Sequence, residues 1–137
     1  MKWLKREATL NNLNPMIDDV LKGVGKSIEL SKKKYMEIRL ICEEVLLNII
    51  SYSYPNGKGE MIAGYEFKSD EDCVILKLCD YGKEFNIMNE KEPDITLDIM
   101  ERDIGGLGIL LIKRVSDSVE YERKENMNIL TVKKYCS

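Results

Sequence analysis

Hydrophobic positions between residues 35 and 52 repeat at helical spacing, and they predict a helix with an unusual polar face. The main apolar stripe consists of Ile38, Ile41, Val45 and Ile49, and a second, narrower stripe consists of Leu40 and Leu47. Glu44 and Asn48 are four residues apart, so they share the face between the two stripes. An ordinary surface helix places its polar residues opposite the apolar stripe. This pair therefore either reaches solvent at a helix edge or meets a ligand in a cleft.

The remaining pattern predicts grouped strands and grouped helices. Strands are predicted at residues 3–10, 60–68, 73–79, 118–122 and 128–134, and helices at 15–29, 31–54 and from about 109. The first helix is expected after a turn at Asn11, Asn12 and Asn14, with Pro15 in its first turn. This order predicts one domain over residues 1–137: an α+β two-layer sandwich with a mixed, mostly antiparallel sheet and helices on one face.

Composition narrows the classes of function. The chain has 137 residues, of which 33% are charged, and its formal net charge is -3. Nucleic-acid binding needs a basic footprint, so it is not expected. No apolar run approaches the roughly 20 residues of a membrane span, and the N-terminus carries no apolar signal-peptide core. The expectation is a cytoplasmic protein with no membrane partner.

Cysteine and histidine usage limits the chemistry further. The four cysteines form no CxxC pair and the chain has no histidine, so a zinc site is not expected. The cysteines are interpreted as small buried hydrophobic residues in a reducing compartment. Catalysis by His–Asp or Ser–His–Asp groups is excluded, and so is autophosphorylation on histidine. Any general base must be a carboxylate, lysine, tyrosine or cysteine.

Two glycine-containing stretches are candidate ligand contacts. Gly105, Gly106 and Gly108 precede the helix expected from Ile109, where exposed backbone N–H groups and the helix dipole favour a phosphate. The stretch lacks the Lys-Ser/Thr of a Walker A loop, and it could equally be a flexible turn. Asp80-Tyr81-Gly82 ends the most strand-like run of the chain. It could be a simple turn, or it could place a carboxylate where it accepts a hydrogen bond from the exocyclic amine of a base.

The three motifs together resemble the Bergerat-fold (GHKL) ATP-binding superfamily, and within it the anti-sigma-factor serine/threonine kinases of the RsbW/SpoIIAB type. The resemblance covers nearly the whole chain. Its N-box is matched by Glu44-Val45-Leu46-Leu47-Asn48, its first glycine box by Asp80-Tyr81-Gly82-Lys83-Glu84-Phe85, and its second by Gly105-Gly106-Leu107-Gly108-Ile109. Two departures stand out: Ser51-Tyr52-Ser53-Tyr54 lacks the histidine that is frequent there, and Glu84 replaces a glycine found in many relatives.

The resemblance implies a role for each matched residue. Asn48 would coordinate Mg²⁺ on the triphosphate of ATP, and Glu44 would be the general base for a substrate serine. Asp80 would accept from the adenine amine, with Gly82 allowing close approach. The remaining implied contacts are Gly105, Gly106 and Gly108 on the phosphates, Arg102 on the γ-phosphate, Thr131 at the adenine end, and a lid over residues 86–104.

The resemblance also implies a function and partners. The protein would be an ATP- and Mg²⁺-dependent serine/threonine kinase that phosphorylates a STAS-like anti-anti-sigma protein. It would sequester a sigma factor, and a homodimer is possible. The main alternative is a non-catalytic nucleotide-binding module that acts by holding a partner. A detached ATPase half of a two-component kinase is a third, and a degenerate fold with an empty site is a fourth.

Overall fold

A computed structural model describes residues 1–87 and 104–136, without the side chains of residues 104–107. In chain order the elements are β1 (Lys2–Glu7), α1 (Leu10–Gly25), α2 (Lys32–Asn48), a π-helical turn (Ile49–Ser53), β2 (Glu60–Lys68), β3 (Cys73–Asp80), α3 (Ile104–Val115), β4 (Ser118–Lys124) and β5 (Met127–Tyr135). Most of the segment expected to be a lid, and with it Arg102, lies outside the described residues.

The strands form one five-stranded sheet in the order β1-β2-β3-β5-β4. All four neighbouring pairs are antiparallel. The hairpin between β4 and β5 turns at Glu125 and Asn126, which both have positive φ angles, as a tight two-residue hairpin turn requires. The predicted α+β sandwich is confirmed, and the described part of its sheet is wholly antiparallel.

One face of the sheet and the helices enclose a continuous hydrophobic core. Each strand alternates, so every second side chain points toward the helices. The fully buried members include Met16, Ile17 and Val20 of α1, Ile38, Ile41 and Leu46 of α2, Leu76 of β3 and Val132 of β5. Burying each such side chain stabilises the fold by about 1.5–3 kcal/mol. The apolar stripe predicted for α2 is therefore the core face of that helix.

Two helices begin earlier than the sequence pattern predicts. Helix α1 begins at Leu10, and the asparagines expected in a turn lie in its first turns. The amide of Asn12 donates to the Glu7 carbonyl at 3.0 Å, which ties this turn to β1. Helix α3 begins at Ile104, so Gly105, Gly106 and Gly108 are helical rather than part of a preceding loop. Each glycine costs about 1 kcal/mol relative to alanine, a cost that burial of the following apolar residues offsets.

A buried ion pair ties helices α2 and α3 to the sheet. The Lys134 ammonium of β5 lies 2.9 Å from the Glu37 carboxylate of α2, and their side chains are 7% and 17% exposed. Lys134 also donates to the carbonyl of Val115, the last residue of α3. A lysine at a helix C-terminus interacts favourably with the helix dipole. One cation thus links α2, α3 and β5.

Three of the four cysteines are buried as expected, and Cys136 is half-buried. Cys42, Cys73 and Cys79 are buried, and all four cysteines are free thiols. Burial raises the pKa of Cys42 to about 12, so its thiol is neutral and packs as a small apolar group. Within residues 1–87 and 104–136, no helix is long and apolar enough to cross a membrane.

Candidate functional site

A small pocket lies between α2, the π-helical turn and the ends of β3 and β5. Its lining residues are Val45, Asn48, Ile49, Ser53, Leu78, Asp80, Phe85, Ile87, Tyr121, Asn128 and Leu130. The space among them is about 30 Å³, on a measure by which one water molecule needs roughly 10–15 Å³. A purine would therefore enter only if a wall of the pocket moved. Phe85 and Ile87 form the part of the wall that lies outside the strands and α-helices.

Asp80 is the buried carboxylate of this pocket. It ends β3 and is only 4% exposed. Its Oδ1 accepts hydrogen bonds from the Gly82 N–H at 2.8 Å and from Asn128 Nδ2 at 3.0 Å. Its Oδ2 accepts from no residue that the structure describes. One oxygen is thus held by the protein, and the other remains as an acceptor for a ligand.

A glycine is required at position 82 because the backbone of Ser53 lies close to it. A Cβ atom added to Gly82 would lie 2.1 Å from the Ser53 carbonyl oxygen. That same carbonyl accepts from the Lys83 N–H at 2.8 Å. Gly82 does not have a positive φ, so a glycine is needed for space and not for backbone conformation. The π-helical turn after α2 therefore holds the loop that follows Asp80.

Two side chains clamp this loop from its flanks. The Tyr54 hydroxyl accepts from the Tyr81 N–H at 2.9 Å and donates to the Glu60 carbonyl at 2.6 Å. Arg123 of β4 donates to the Gly82 carbonyl at 2.8 Å. The loop is therefore fixed by contacts from the π-helical end, from β2 and from β4.

Asn48 presents an oxygen atom to the pocket. Its Nδ2 donates to the carbonyl of Glu44 at 2.9 Å, which fixes the amide orientation. No residue in the described part of the chain donates to its Oδ1. Mg²⁺ prefers oxygen ligands and usually keeps several waters, so one amide oxygen beside a triphosphate suits it. No group of three or more His, Cys, Asp or Glu residues able to hold a metal occurs among the described residues.

Glu44 lies one turn before Asn48 and faces α3. A Cβ atom added to Gly108 would lie 2.3 Å from Glu44 Oε2, so an alanine here would require this carboxylate to move. Partial burial raises the pKa of Glu44, and the neighbouring Glu43 carboxylate raises it further. A higher pKa makes the carboxylate a stronger proton acceptor. Two of the three sequence motifs thus meet at the contact between Glu44 and Gly108.

Thr131 is not brought to the pocket. In the β3–β5 register Leu78 pairs with Leu130 and Lys77 with Thr131. Leu78 and Leu130 are core residues, and neighbouring strand positions point to opposite faces. Thr131 therefore lies on the face of the sheet away from the helices. The residue of β5 that contacts Asp80 is Asn128, three residues earlier.

Sequence reasoning missed Asn128, Tyr121 and Arg123. Asn128 is 6% exposed, and Tyr121 donates to its Oδ1 at 2.6 Å. The alternation of β5 was a usable signal, since Asn128 lies in phase with Leu130 and Val132 on the core face. The alternation of β5 does not predict that Asn128 contacts Asp80, because the two residues are 48 positions apart along the chain.

Comparison with known families settles the classification. Residues 7–134 match the family model described as "Histidine kinase-like ATPase domain". The chain belongs to the histidine kinase-like ATPase domain family. This family implies ATP binding and a kinase type of regulatory protein. A curated relative is the "Serine-protein kinase RsbW" of Listeria monocytogenes, 22% identical over 117 residues, which cover 82% of this chain and 74% of the relative.

Solved structures agree on the fold. The Erythrobacter litoralis EL346 blue-light activated histidine kinase matches with a TM-score of 0.61 at 13% identity; the match covers 91% of this chain and 42% of that one. The Acinetobacter baumannii histidine kinase AdeS matches with a TM-score of 0.53 at 13% identity, over 100% of this chain and 70% of that one. The chain thus spans less than half of the light-activated kinase. At such identities these likenesses show a shared fold.

Proposed function

We propose that this protein is a Mg²⁺- and ATP-dependent serine/threonine kinase of the anti-sigma type. It phosphorylates a serine on a STAS-like anti-anti-sigma partner and sequesters a sigma factor in the cytoplasm, as a homodimer. The observation that carries the proposal is the convergence of motifs from distant parts of the chain. Asn48 and Asp80 line one pocket, and Glu44, one turn from Asn48, contacts Gly108.

Each residue has a physical role in this proposal. Asp80 accepts from the exocyclic amine of adenine through Oδ2, and Gly82 keeps the loop close to the π-helical turn. Asn48 Oδ1 is the protein ligand of Mg²⁺, which neutralises charge on the triphosphate. Glu44 takes the proton of the substrate hydroxyl as that oxygen attacks the γ-phosphorus, and ADP leaves.

The glycine-rich start of α3 is assigned to the phosphates. The first four N–H groups of a helix have no partner within it, and the helix dipole adds positive potential there. Gly105 and Gly106 carry no side chain that would block a phosphate from these groups. Arg102, outside the described residues, is assigned to the γ-phosphate. Gly108 leaves space for the Glu44 side chain and does not contact the phosphate directly.

The first experiment is calorimetry with ATP and ADP, with and without Mg²⁺, on the wild type and Asn48→Ala. We expect Mg²⁺-dependent binding that falls at least tenfold in the variant, which corresponds to about 1.4 kcal/mol. Asn11→Ala, an exposed asparagine of α1, is the matched control and should bind as the wild type does. A wild type that binds no nucleotide at millimolar concentration would contradict the proposal.

The second experiment identifies the acceptor. The protein is incubated with ATP labelled on the γ-phosphate and with candidate STAS-like proteins, and the phosphorylated residue is identified by mass spectrometry. Transfer to serine supports the proposal. Binding without transfer to any candidate would indicate the non-catalytic module, and transfer to a histidine supplied by another protein would indicate a detached half of a two-component kinase.

A further inference from the structure

The Asn128 side chain has every hydrogen-bonding group occupied. Its Nδ2 donates to Asp80 Oδ1 at 3.0 Å and to the Lys83 carbonyl at 2.8 Å. Its Oδ1 accepts from the Tyr121 hydroxyl at 2.6 Å and from the Phe85 N–H at 3.3 Å. The Phe85 N–H can only donate, so the amide cannot be turned over without losing bonds. A fully satisfied buried network of this kind holds a single geometry.

This geometry determines which oxygen of Asp80 is available to a ligand. Oδ1 receives two donors, from Asn128 and from the Gly82 N–H, so it is saturated by the protein. Oδ2 then has to be the atom that a bound base meets. Without Asn128, the carboxylate would keep only the Gly82 N–H on Oδ1 and could rotate to offer either oxygen, while the Lys83 carbonyl and the Phe85 N–H would lose their partner. Asn128 thus fixes the direction in which Asp80 presents its free oxygen.

We infer that Asn128 is a positioning residue that sets the preference of the pocket for a base with an exocyclic amine. This inference rests on the proposed function. An adenine amine donates to Asp80 Oδ2. A base with an oxo group at the same position, such as hypoxanthine, places an acceptor against an acceptor, and both groups lose their partners. Discrimination between the two bases is therefore the property that Asn128 controls.

The test compares ADP with inosine diphosphate, in which an oxo group replaces the amine and the adjacent ring nitrogen N1 carries a proton. Affinities of both are measured by calorimetry with Mg²⁺ for the wild type, Asn128→Ala and the isosteric Asn128→Asp. We expect the wild type to favour ADP at least tenfold and both variants to reduce the preference below about threefold. The Asp variant keeps the volume of the side chain and replaces the donor with an acceptor. Circular dichroism establishes that each variant is folded.

Two further variants separate positioning from a general structural role. Thr131→Val lies on the same strand but on the outer face, and it should leave both affinities unchanged. Tyr121→Phe removes only the hydroxyl that donates to Asn128. As a single substitution it should weaken ADP binding, and combined with Asn128→Ala it should have no further effect. If Asn128→Ala does not fold, the effect of the single Tyr121→Phe substitution on ADP binding still tests the inference.

The outcomes are distinct. Equal loss of ADP and inosine diphosphate in the Asn128 variants, with the preference kept, would mean that Asn128 only supports the fold, and the inference would be wrong. A Tyr121→Phe effect that persists without Asn128 would also overturn it. If the wild type binds neither nucleotide, the proposed function itself fails and the inference fails with it.

Discussion

At the scale of single residues, Glu44 shows how a partly buried carboxylate costs stability. Partial burial and the Glu43 charge both raise its pKa above the ordinary value of 4.5. Between the unfolded and the folded pKa the folded protein binds more protons than the unfolded chain, so stability falls as the pH rises through this window. Above the window the ionised carboxylate is a net cost to the fold. The same raised pKa suits a general base.

We therefore expect Glu44→Gln to be more stable than the wild type at pH 7. The advantage should shrink as the pH is lowered and vanish below the unfolded pKa, where both side chains are neutral. Urea unfolding at pH 7 and pH 4 measures this difference, with the exposed Glu29→Gln as a control that should show neither effect. A variant less stable than the wild type at pH 7 would mean that the carboxylate has a stabilising partner.

The same substitution separates chemistry from binding. If Glu44 is the base, Glu44→Gln should slow phosphate transfer by at least about 100-fold, since positioned general bases contribute factors of this size. Affinity for ADP should change by less than about twofold, because no base is needed to bind it. Single-turnover transfer and calorimetry measure the two quantities. Transfer at the wild-type rate would remove Glu44 from the mechanism.

At the scale of elements, two glycines at different places should respond oppositely to alanine. In Gly82→Ala the new Cβ would meet the backbone carbonyl of Ser53 at 2.1 Å, so the loop after β3 must move. We expect a loss of about 1–3 kcal/mol in the free energy of unfolding and weaker ADP binding. Gly25, at the end of α1, has no atom within 4 Å of an added Cβ. Gly25→Ala should therefore gain about 0.4–1 kcal/mol. Thermal and urea unfolding compare the two.

The ion pair of Lys134 and Glu37 supplies a second test at this scale. Lys134→Met leaves the Glu37 carboxylate buried without its cation, so we expect a loss of about 3–5 kcal/mol in the free energy of unfolding. The double variant Glu37→Leu with Lys134→Met removes both charges and should recover most of that loss. Urea denaturation of the two single variants and the double variant gives the coupling energy. Additive losses would show that the pair does not act as a unit.

At the scale of the whole molecule, one sheet and one core should unfold together. The single tryptophan, Trp3, lies on β1 at the edge of the sheet, whereas far-ultraviolet circular dichroism reports the helices and all strands. We expect urea transitions from the two signals to coincide, as two-state unfolding requires. An earlier fluorescence transition would show that β1 separates first and would contradict the expectation of a single cooperative domain.

The parts of the molecule that sequence predicted are those with local periodicity. The bounds of β2 followed from alternation, and the core stripe of α2 followed from helical spacing. The start of α3 could not be predicted in this way. Glycines alone favour a loop, whereas in the folded protein the helix includes them because its following residues pack in the core. The contact of Asn128 with Asp80 could not be predicted either, since it depends on which strands pair. Local pattern does not determine that choice.

The π-helical turn at residues 49–53 has a consequence for how this chain can change in length. Such a turn closes with an i→i+5 hydrogen bond, so it accommodates one residue more than an α-helical turn. Deleting one residue here would let α2 continue as an α-helix and rotate the following positions by about 100°. The Ser53 carbonyl would then turn away from Lys83, and the loop that carries Gly82 would lose its support. Insertions and deletions among homologues should therefore avoid this turn and collect at the exposed residues 56–58.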